Sequence, residues 1–340
     1  MERINGNVIA GLRQMESPQR CNVNEGYTTI NFCEFVHGIV RRFGVGYSES
    51  HFGEYIQGIF FDNKTKSYVN GLITVLCNLF RVYAVFYPSM DKRVCCCSRN
   101  KTKALTAVKK TLQWINKSEF GGELRLYSNI PVGYGCGSSS ADVVATIKAV
   151  ANAFDCNLSP DEIALLAVDI ETASDSIMYD NKMVLFAQRK GIVLRDFGSM
   201  PSIDVFGFST SEQGVDTLSL QPIQYTHSEI LEFESMVGLV SMAALTQDPK
   251  YLGIAAYKSA LINQKYRPKP KRFANVSFNM VEDGLALGCS VSHSGTVIGF
   301  IFDAKEDYYK KNEKVVKIKK VLKQLGIKDK DMWRFSVNSN

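Results

Sequence analysis

Between Pro131 and Ala141 the chain reads Pro-Val-Gly-Tyr-Gly-Cys-Gly-Ser-Ser-Ser-Ala, with Gly133, Gly135 and Gly137 at every second position ahead of Ser138, Ser139 and Ser140. Glycine lets a backbone approach a ligand closely and adopt positive φ, and a row of free N–H groups at a helix start binds an anion, most often phosphate. A second set of reactive side chains is Glu171 with Asp175 and Ser176. Phosphoryl transfer needs Mg²⁺ to bridge phosphates, a carboxylate to hold the ion, and often a carboxylate to orient the attacking hydroxyl. A third set lies in Gly288–Asp303, where Ser292, His293, Ser294, Gly295 and Thr296 make a loop of small residues between two strand patterns.

The elements around the glycines fit that reading. Leu124 and Leu126 alternate with Arg125 and Tyr127 as in a half-buried strand, and Pro131 ends it. Val143, Val144, Ile147, Val150, Ala151 and Phe154 fall on one face of a helix. Ser159-Pro160-Asp161-Glu162 is a capping box with proline at the first helical position, and Ile163, Leu166, Ala167 and Ile170 form the inward face of the helix it starts. That helix ends at Glu171.

Other chemistries fit less well. No lysine follows the glycines directly, as a Walker A loop requires, and Gly-x-Gly-x-Gly is not the dinucleotide fingerprint Gly-x-Gly-x-x-Gly. A Ser/His hydrolase is a poor match, because Ser292, His293 and Ser294 are adjacent and no Gly-x-Ser-x-Gly elbow exists. Taken singly, each motif has a bland reading: a glycine turn with serine caps, a surface glutamate, a turn-forming aspartate.

In register, the motifs resemble those of the GHMP kinases. Pro131, Gly133, Gly135, Cys136, Gly137, Ser138, Ser139 and Ser140 are similar to that family's phosphate loop. Gly53-Glu54-x-Ile56-Gln57-Gly58, Glu171-x-x-x-Asp175-Ser176 and Ser292-His293-Ser294-Gly295-Thr296-Val297-x-Gly299 resemble most the L-threonine kinases of cobalamin biosynthesis. The resemblance implies ATP on the loop, Mg²⁺ held by Ser139 and Glu171, and Asp175 as the catalytic group facing the acceptor hydroxyl. It assigns the substrate to Glu54, Gln57, Ser292, His293, Ser294 and Gly295. The implied reaction is ATP-dependent phosphorylation of a small hydroxy amino acid, L-threonine first, with serine, homoserine or an amino alcohol as alternatives. A silent nucleotide- or metabolite-binding relative is the alternative from another class. Two departures stand out. Ser48, Glu49 and Ser50 occupy positions where many members carry proline and a basic residue, and one extra residue separates Glu171 from Asp175.

The bulk properties agree with a soluble enzyme. Hydrophobic residues at 45% and charged residues at 22% are ordinary, and a net charge of +6 is mild. With much of the lysine in one late segment, neither a nucleic-acid surface nor a membrane span is expected. Nine cysteines without zinc-ligand spacing, and a start that lacks a signal pattern, point to reduced thiols in the cytoplasm. Three parts are expected. Residues 1–40, with a short helix from Ile30 to Arg42, are an extension; 41–200 form the ATP-binding N-terminal domain; 201–330 form the C-terminal domain. The implied fold is α+β, a mixed N-terminal part followed by a ferredoxin-like part, with the site in the cleft between them. Lys64–Pro88 reads as strand, turn, strand, Asp91–Lys103 as a loop, and Tyr266–Arg272 as a solvated connector.

Overall fold

The computed structural model describes residues 43–98, 100–180, 182–210, 223–292 and 296–337. The extension over residues 1–40 and its short helix lie outside the described residues, as does His37.

The centre of the sheet is a long antiparallel pair, β1 (Gly44–Asp62) and β2 (Ser67–Ser89). The turn between them occupies residues 63–66. The interruption read within Lys64–Pro88 is therefore not a second turn but a register jump inside β2. Glu49 faces Arg81 while Ser50 faces Cys77, so Asn78, Leu79 and Phe80 have no opposite partner. Such irregularities bend a strand and re-aim its side chains. Further shifts at His51/Glu54 and Glu54/Ile56 break the in-out alternation of β1, and Ser50 to Ile56 are all buried.

Beyond β2 the chain gives β3 (Val94–Cys96), α1 (Thr102–Trp114), β4 (Gly121–Ser128), α2 (Ser138–Ala153) and α3 (Pro160–Glu171). β3 lies inside the expected loop, as a three-residue edge strand parallel to β4. Next come β5 (Val184–Ala187), β6 (Ile192–Asp196), β7 (Ile203–Ser209), α4 (His227–Thr246), α5 (Pro249–Tyr266), α6 (Lys271–Glu282), β8 (Gly288–Val291), β9 (Val297–Asp303), α7 (Tyr308–Gln324) and β10 (Met332–Val337). The sheet order is β10-β7-β9-β8-β1-β2-β4-β3, with the β5–β6 hairpin attached to β2. One backbone pairing, Glu54 with Val291, joins β1 to β8.

Period-two alternation assigns the strands of the second half to two cores. Ile203 and Val205 of β7, with Val297 and Ile301 of β9, face the larger core. Phe206 and Phe208, with Ile298, Phe300 and Phe302, face a smaller one that Phe273, Ile318 and Leu322 complete. α2 is buried nearly all round, as expected of a helix with so little polar surface. Its Ala145 and Ala149 lie so close to β1 that a Cβ at Gly46 would meet their backbone. The chain thus has the expected α+β, two-part architecture. Among the described residues, no helix is long and apolar enough to cross a membrane.

The connector after α5 is tied down rather than solvated. The Gln264 side chain donates to the Lys269 carbonyl and accepts from the Lys269 N–H, both at 2.8 Å, and Lys269 is buried. Pro270 then caps α6, a helix the sequence reading did not foresee.

The capping box of α3 forms as read. Glu162 N–H donates to Ser159 Oγ at 3.3 Å, and Ser159 N–H donates to Glu162 Oε2 at 2.9 Å. Loss of such a cap costs about 0.5–2 kcal/mol. Ser159→Ala is expected to lower the unfolding free energy by that amount in chemical denaturation; an unchanged midpoint and slope would count against the cap.

Candidate active site

The glycine loop joins β4 to α2, as its sequence requires. Gly133, Gly135 and Gly137 have φ of 86°, 75° and 68°, alternating with residues of ordinary φ. The first hydrogen bond of α2 runs from Ala141 N–H to the Gly137 carbonyl at 2.9 Å. The four N–H groups before it therefore have no helical partner. Gly137 is the N-cap and offers no side chain to satisfy them. The loop carbonyls point away into protein contacts: Tyr134 C=O accepts from Thr296 N–H at 3.0 Å, and Cys136 C=O from His51 N–H at 3.4 Å. With carbonyls engaged behind and N–H groups free in front, the loop is built to receive an anion. Ser139 is exposed, Ser138 and Pro131 are half-buried, Ser140 is buried, and the Cys136 side chain enters the core.

Ser139 and Glu171 meet despite the extra residue before Asp175. Ser139 Oγ donates to Glu171 Oε1 at 2.7 Å, and Lys103 Nζ donates to the same oxygen at 3.1 Å. Glu171 is 3% exposed, and its Oε2 is buried without a hydrogen-bond partner among the described residues. A buried carboxylate oxygen left over beside a hydroxyl is a donor set that fits Mg²⁺. Lys103 was not foreseen. It lies in the first turn of α1 and supplies a cation; beside it Lys101 Nζ lies 2.5 Å from Asp142 Oδ2 on α2. By contrast Asp169, two residues before Glu171, pairs at the surface with Lys110.

Asp175 also finds a partner that the sequence reading missed. His51 Nε2 lies 3.1 Å from Asp175 Oδ2, and His51 is 3% exposed. Burial alone would push the imidazole pKa down. The Asp175 charge and hydrogen bond, with the nearby Glu54 charge, instead push it up to about 9. Burial in turn raises the Asp175 pKa, but the His51 charge and hydrogen bond outweigh it and hold the carboxyl below its usual range. The signal available in the sequence was position alone: His51 stands two residues before Gly53-Glu54.

Glu54, Gln57 and Ser292 line one open cleft together with Ser259, Asn263 and Arg267. Gly53 permits that closeness. It has φ of 77°, and a Cβ there would lie 2.8 Å from the Ser292 N. α5 is tied to β1 through Gln57: its N–H donates to Ser259 Oγ at 3.0 Å, and its carbonyl accepts from Asn263 Nδ2 at 2.8 Å. Burial lowers the Arg267 pKa, the Tyr225 phenol and the Arg189 charge act on it in opposite directions, and no carboxylate is among these influences. His293, Ser294 and Gly295 lie outside the described residues.

Comparison with known proteins agrees with the motifs. Residues 101–179 match the family model described as the GHMP kinases N terminal domain. The chain is 30% identical over 196 residues to an L-threonine kinase of Salmonella typhimurium, covering 56% of this chain and 64% of that one. It is 26% identical over 211 residues to a homoserine kinase of Blochmanniella pennsylvanica, covering 56% and 67%. Among solved structures, homoserine kinase from Cytophaga hutchinsonii superposes with a TM-score of 0.63, covering 89% of this chain and 96% of that one at 17% identity. At that identity the likeness is one of fold.

The His51–Asp175 pair gives a pH signature. Its folded imidazole pKa of about 9 lies above the ordinary 6.5, so the protonated ring stabilises the fold fully below pH 6.5 and loses that contribution as pH rises through 9. Asp175 contributes above the ordinary carboxylate range and loses its share as pH falls. Unfolding free energy measured across about pH 6 to 10 is expected to decline in the wild type and to decline much less in Asp175→Asn. The same slope in both proteins would mean the pair carries no net charge interaction.

Proposed function

We propose that the chain is a kinase of the GHMP type, a reading supported by the family match over residues 101–179, and that it transfers the γ-phosphoryl group of ATP to the side-chain hydroxyl of a small amino acid, L-threonine first. The observation that carries the reading is the convergence of three groups: free N–H groups at the start of α2, the Ser139–Glu171 pair beside them, and Asp175 held on His51. Anionic phosphates suit the N–H groups, and Lys103 adds a positive charge to the same wall. Ser139 Oγ and Glu171 would hold Mg²⁺, which supplies charge neutralisation between the phosphates. Asp175 accepts a hydrogen bond from the acceptor hydroxyl, orients it towards phosphorus, and takes its proton as the new P–O bond forms. The bond to ADP breaks with its electron pair leaving on ADP, and the products are O-phospho-L-threonine and ADP.

The cleft supports an amino acid as acceptor. Arg267, half-buried without a carboxylate among the charges acting on it, suits an α-carboxylate, and the Glu54 carboxylate suits an α-ammonium. Gln57 Oε1 is buried without a hydrogen-bond partner among the described residues, a further acceptor on this wall. The similarity to homoserine kinases favours homoserine as the second reading, since it carries the same charged groups with a longer arm to the hydroxyl. The division at residue 200, into an ATP-binding part and a C-terminal part that closes the acceptor side, belongs to the same proposal.

An ADP-release assay over L-threonine, L-serine, L-homoserine and amino alcohols is expected to give the highest kcat/KM with L-threonine. A clear preference for homoserine selects the second reading, and release with none of them rejects both. Asp175→Asn should lower kcat by about 10²–10⁴-fold with ATP affinity little changed. Asparagine forms the same turns, so full activity would reduce Asp175 to a turn former. Glu171→Ala or Ser139→Ala should raise the Mg²⁺ concentration for half-maximal rate, because each removes an oxygen from the ion's site. Arg267→Met removes charge-assisted hydrogen bonds worth about 1.5–3 kcal/mol, so the acceptor KM should rise roughly 10- to 100-fold. An unaltered acceptor KM would place the carboxylate elsewhere.

A further inference from the structure

His51 is the buried titratable group that neither the phosphate loop nor the acceptor cleft accounts for. It touches several parts of the site at once. Its backbone N–H donates to the Cys136 carbonyl in the glycine loop, and its ring lies against Gly137, where an added Cβ would fall 2.3 Å from Cδ2. Nε2 reaches Asp175 Oδ2 at 3.1 Å, while Nδ1 stands 3.9 Å from Glu54 Oε1. Among the described residues, the charged groups facing the ring are thus Asp175, from the segment after α3, and Glu54, from its own strand. Cys136 packs nearby as a neutral thiol, its pKa pushed up by burial. His51, Glu54 and Asp175 are all of metal-ligand type. Their closest approaches, however, use different ring nitrogens: Nε2 meets Asp175, while Nδ1, 3.9 Å from Glu54, makes no hydrogen bond among the described residues.

We propose that His51 is a positioning residue for the transfer: it grips Asp175 by Oδ2, leaves Oδ1 for the acceptor hydroxyl, and supplies the positive charge that keeps this carboxylate ionised beside the incoming phosphates. The inference rests on the kinase reading above. Its physical basis is charge. A carboxylate next to a triphosphate is repelled by it, and an unpaired one would take up a proton or turn away. An imidazolium in hydrogen-bond contact offsets that repulsion and fixes the carboxylate plane. It also makes Asp175 a weak base, so the hydroxyl proton moves to Oδ1 only once the P–O bond is forming and the proton has become acidic. A loose transition state demands little more than such positioning. His51 thereby does from β1 what the absent basic residue at Ser48, Glu49 or Ser50 cannot. Because its ring rests on Gly137, the grip on Asp175 is also referenced to the phosphate loop, so donor and acceptor share one fixed frame.

The test is His51→Gln, which keeps a donor but cannot carry charge. Misplacement of a reacting group costs up to about 100-fold, so kcat should fall roughly 10- to 100-fold while the KM for ATP stays near wild type. The pH profile separates positioning from mere structure. Wild-type kcat should show an alkaline limb near pH 9 that vanishes in His51→Gln. The acid limb should move upward in the variant, because Asp175 has lost its cationic neighbour. A folded His51→Gln protein with wild-type kcat and both limbs in place overturns the proposal. Where the variant fails to fold, NMR titration of the His51 imidazole in the intact protein decides. A value near 9 that drops in Asp175→Asn upholds the grip, and an ordinary or lower value in the wild type overturns it. If the wild type phosphorylates none of the hydroxy amino acids, the kinase reading falls and the role in transfer with it. The imidazole titration then still reports whether the pair is charged, so the two failures are distinguishable.

Discussion

The fold is arranged around a constraint at the start of α2: four backbone N–H groups must stay unpaired at the front while the helix behind them is buried on nearly every side. Burial of a helix end without partners is unfavourable. Here it is tolerated because the end opens on the site and the loop carbonyls are satisfied from behind, by Thr296 and His51. The alternating positive φ of the glycines makes both possible. A side chain at Gly137 would be strained by about 1–2 kcal/mol in the left-handed region and would also collide with His51. The loop and the acceptor-side pair are therefore not separable by mutation at that residue: enlarging it disturbs both.

Electrostatics follow the same economy. Two carboxylates of the site are matched to cations, the buried Glu171 to Lys103 and the partly buried Asp175 to His51, but the two pairs differ in what they leave open. Lys103 has a side chain 43% exposed and can give way, so Glu171 keeps a free oxygen and an exchangeable partner. His51 is enclosed and cannot leave. An exposed pair such as Lys110–Asp169 is worth about 0–1 kcal/mol, whereas removing one member of a buried pair costs about 3–5 kcal/mol.

What was legible in the sequence was what local pattern dictates. The strand–glycine–helix order, the capping box at Ser159 and the α+β plan each depend on neighbouring residues, and each formed as read. Glu171 and Ser139 came together although the spacing to Asp175 differs by a residue, and Thr172 in the αL conformation ends α3 directly after Glu171. The misses share a cause. His51, Lys103 and Arg267 reach the site through contacts between residues far apart in the chain, for which a single sequence carries no signal. The break in β2 looked like a turn because Asn78 and Arg81 interrupt an apolar run, but a register jump against β1 absorbs them. The proline-lysine-proline segment looked solvated by composition, yet Gln264 folds it back and leaves Arg267 at the cleft.

Glu54 is where the two halves of the site meet. Its backbone makes the pairing that joins β1 to β8, its side chain lines the acceptor cleft, and its carboxylate stands on the Nδ1 side of His51. The positive φ of Gly53 makes that position reachable, since it lets β1 press against Ser292. A substrate ammonium at Glu54 would bring a cation close to the His51–Asp175 pair, countering part of the negative charge that two carboxylates and the phosphates accumulate there. An acceptor without that ammonium leaves the excess negative charge in place and pulls less of it away from Asp175. On the proposed reading, a preference for an amino acid over a plain alcohol would come from the same charge balance that keeps Asp175 ionised, and not from contacts at the carboxylate end alone.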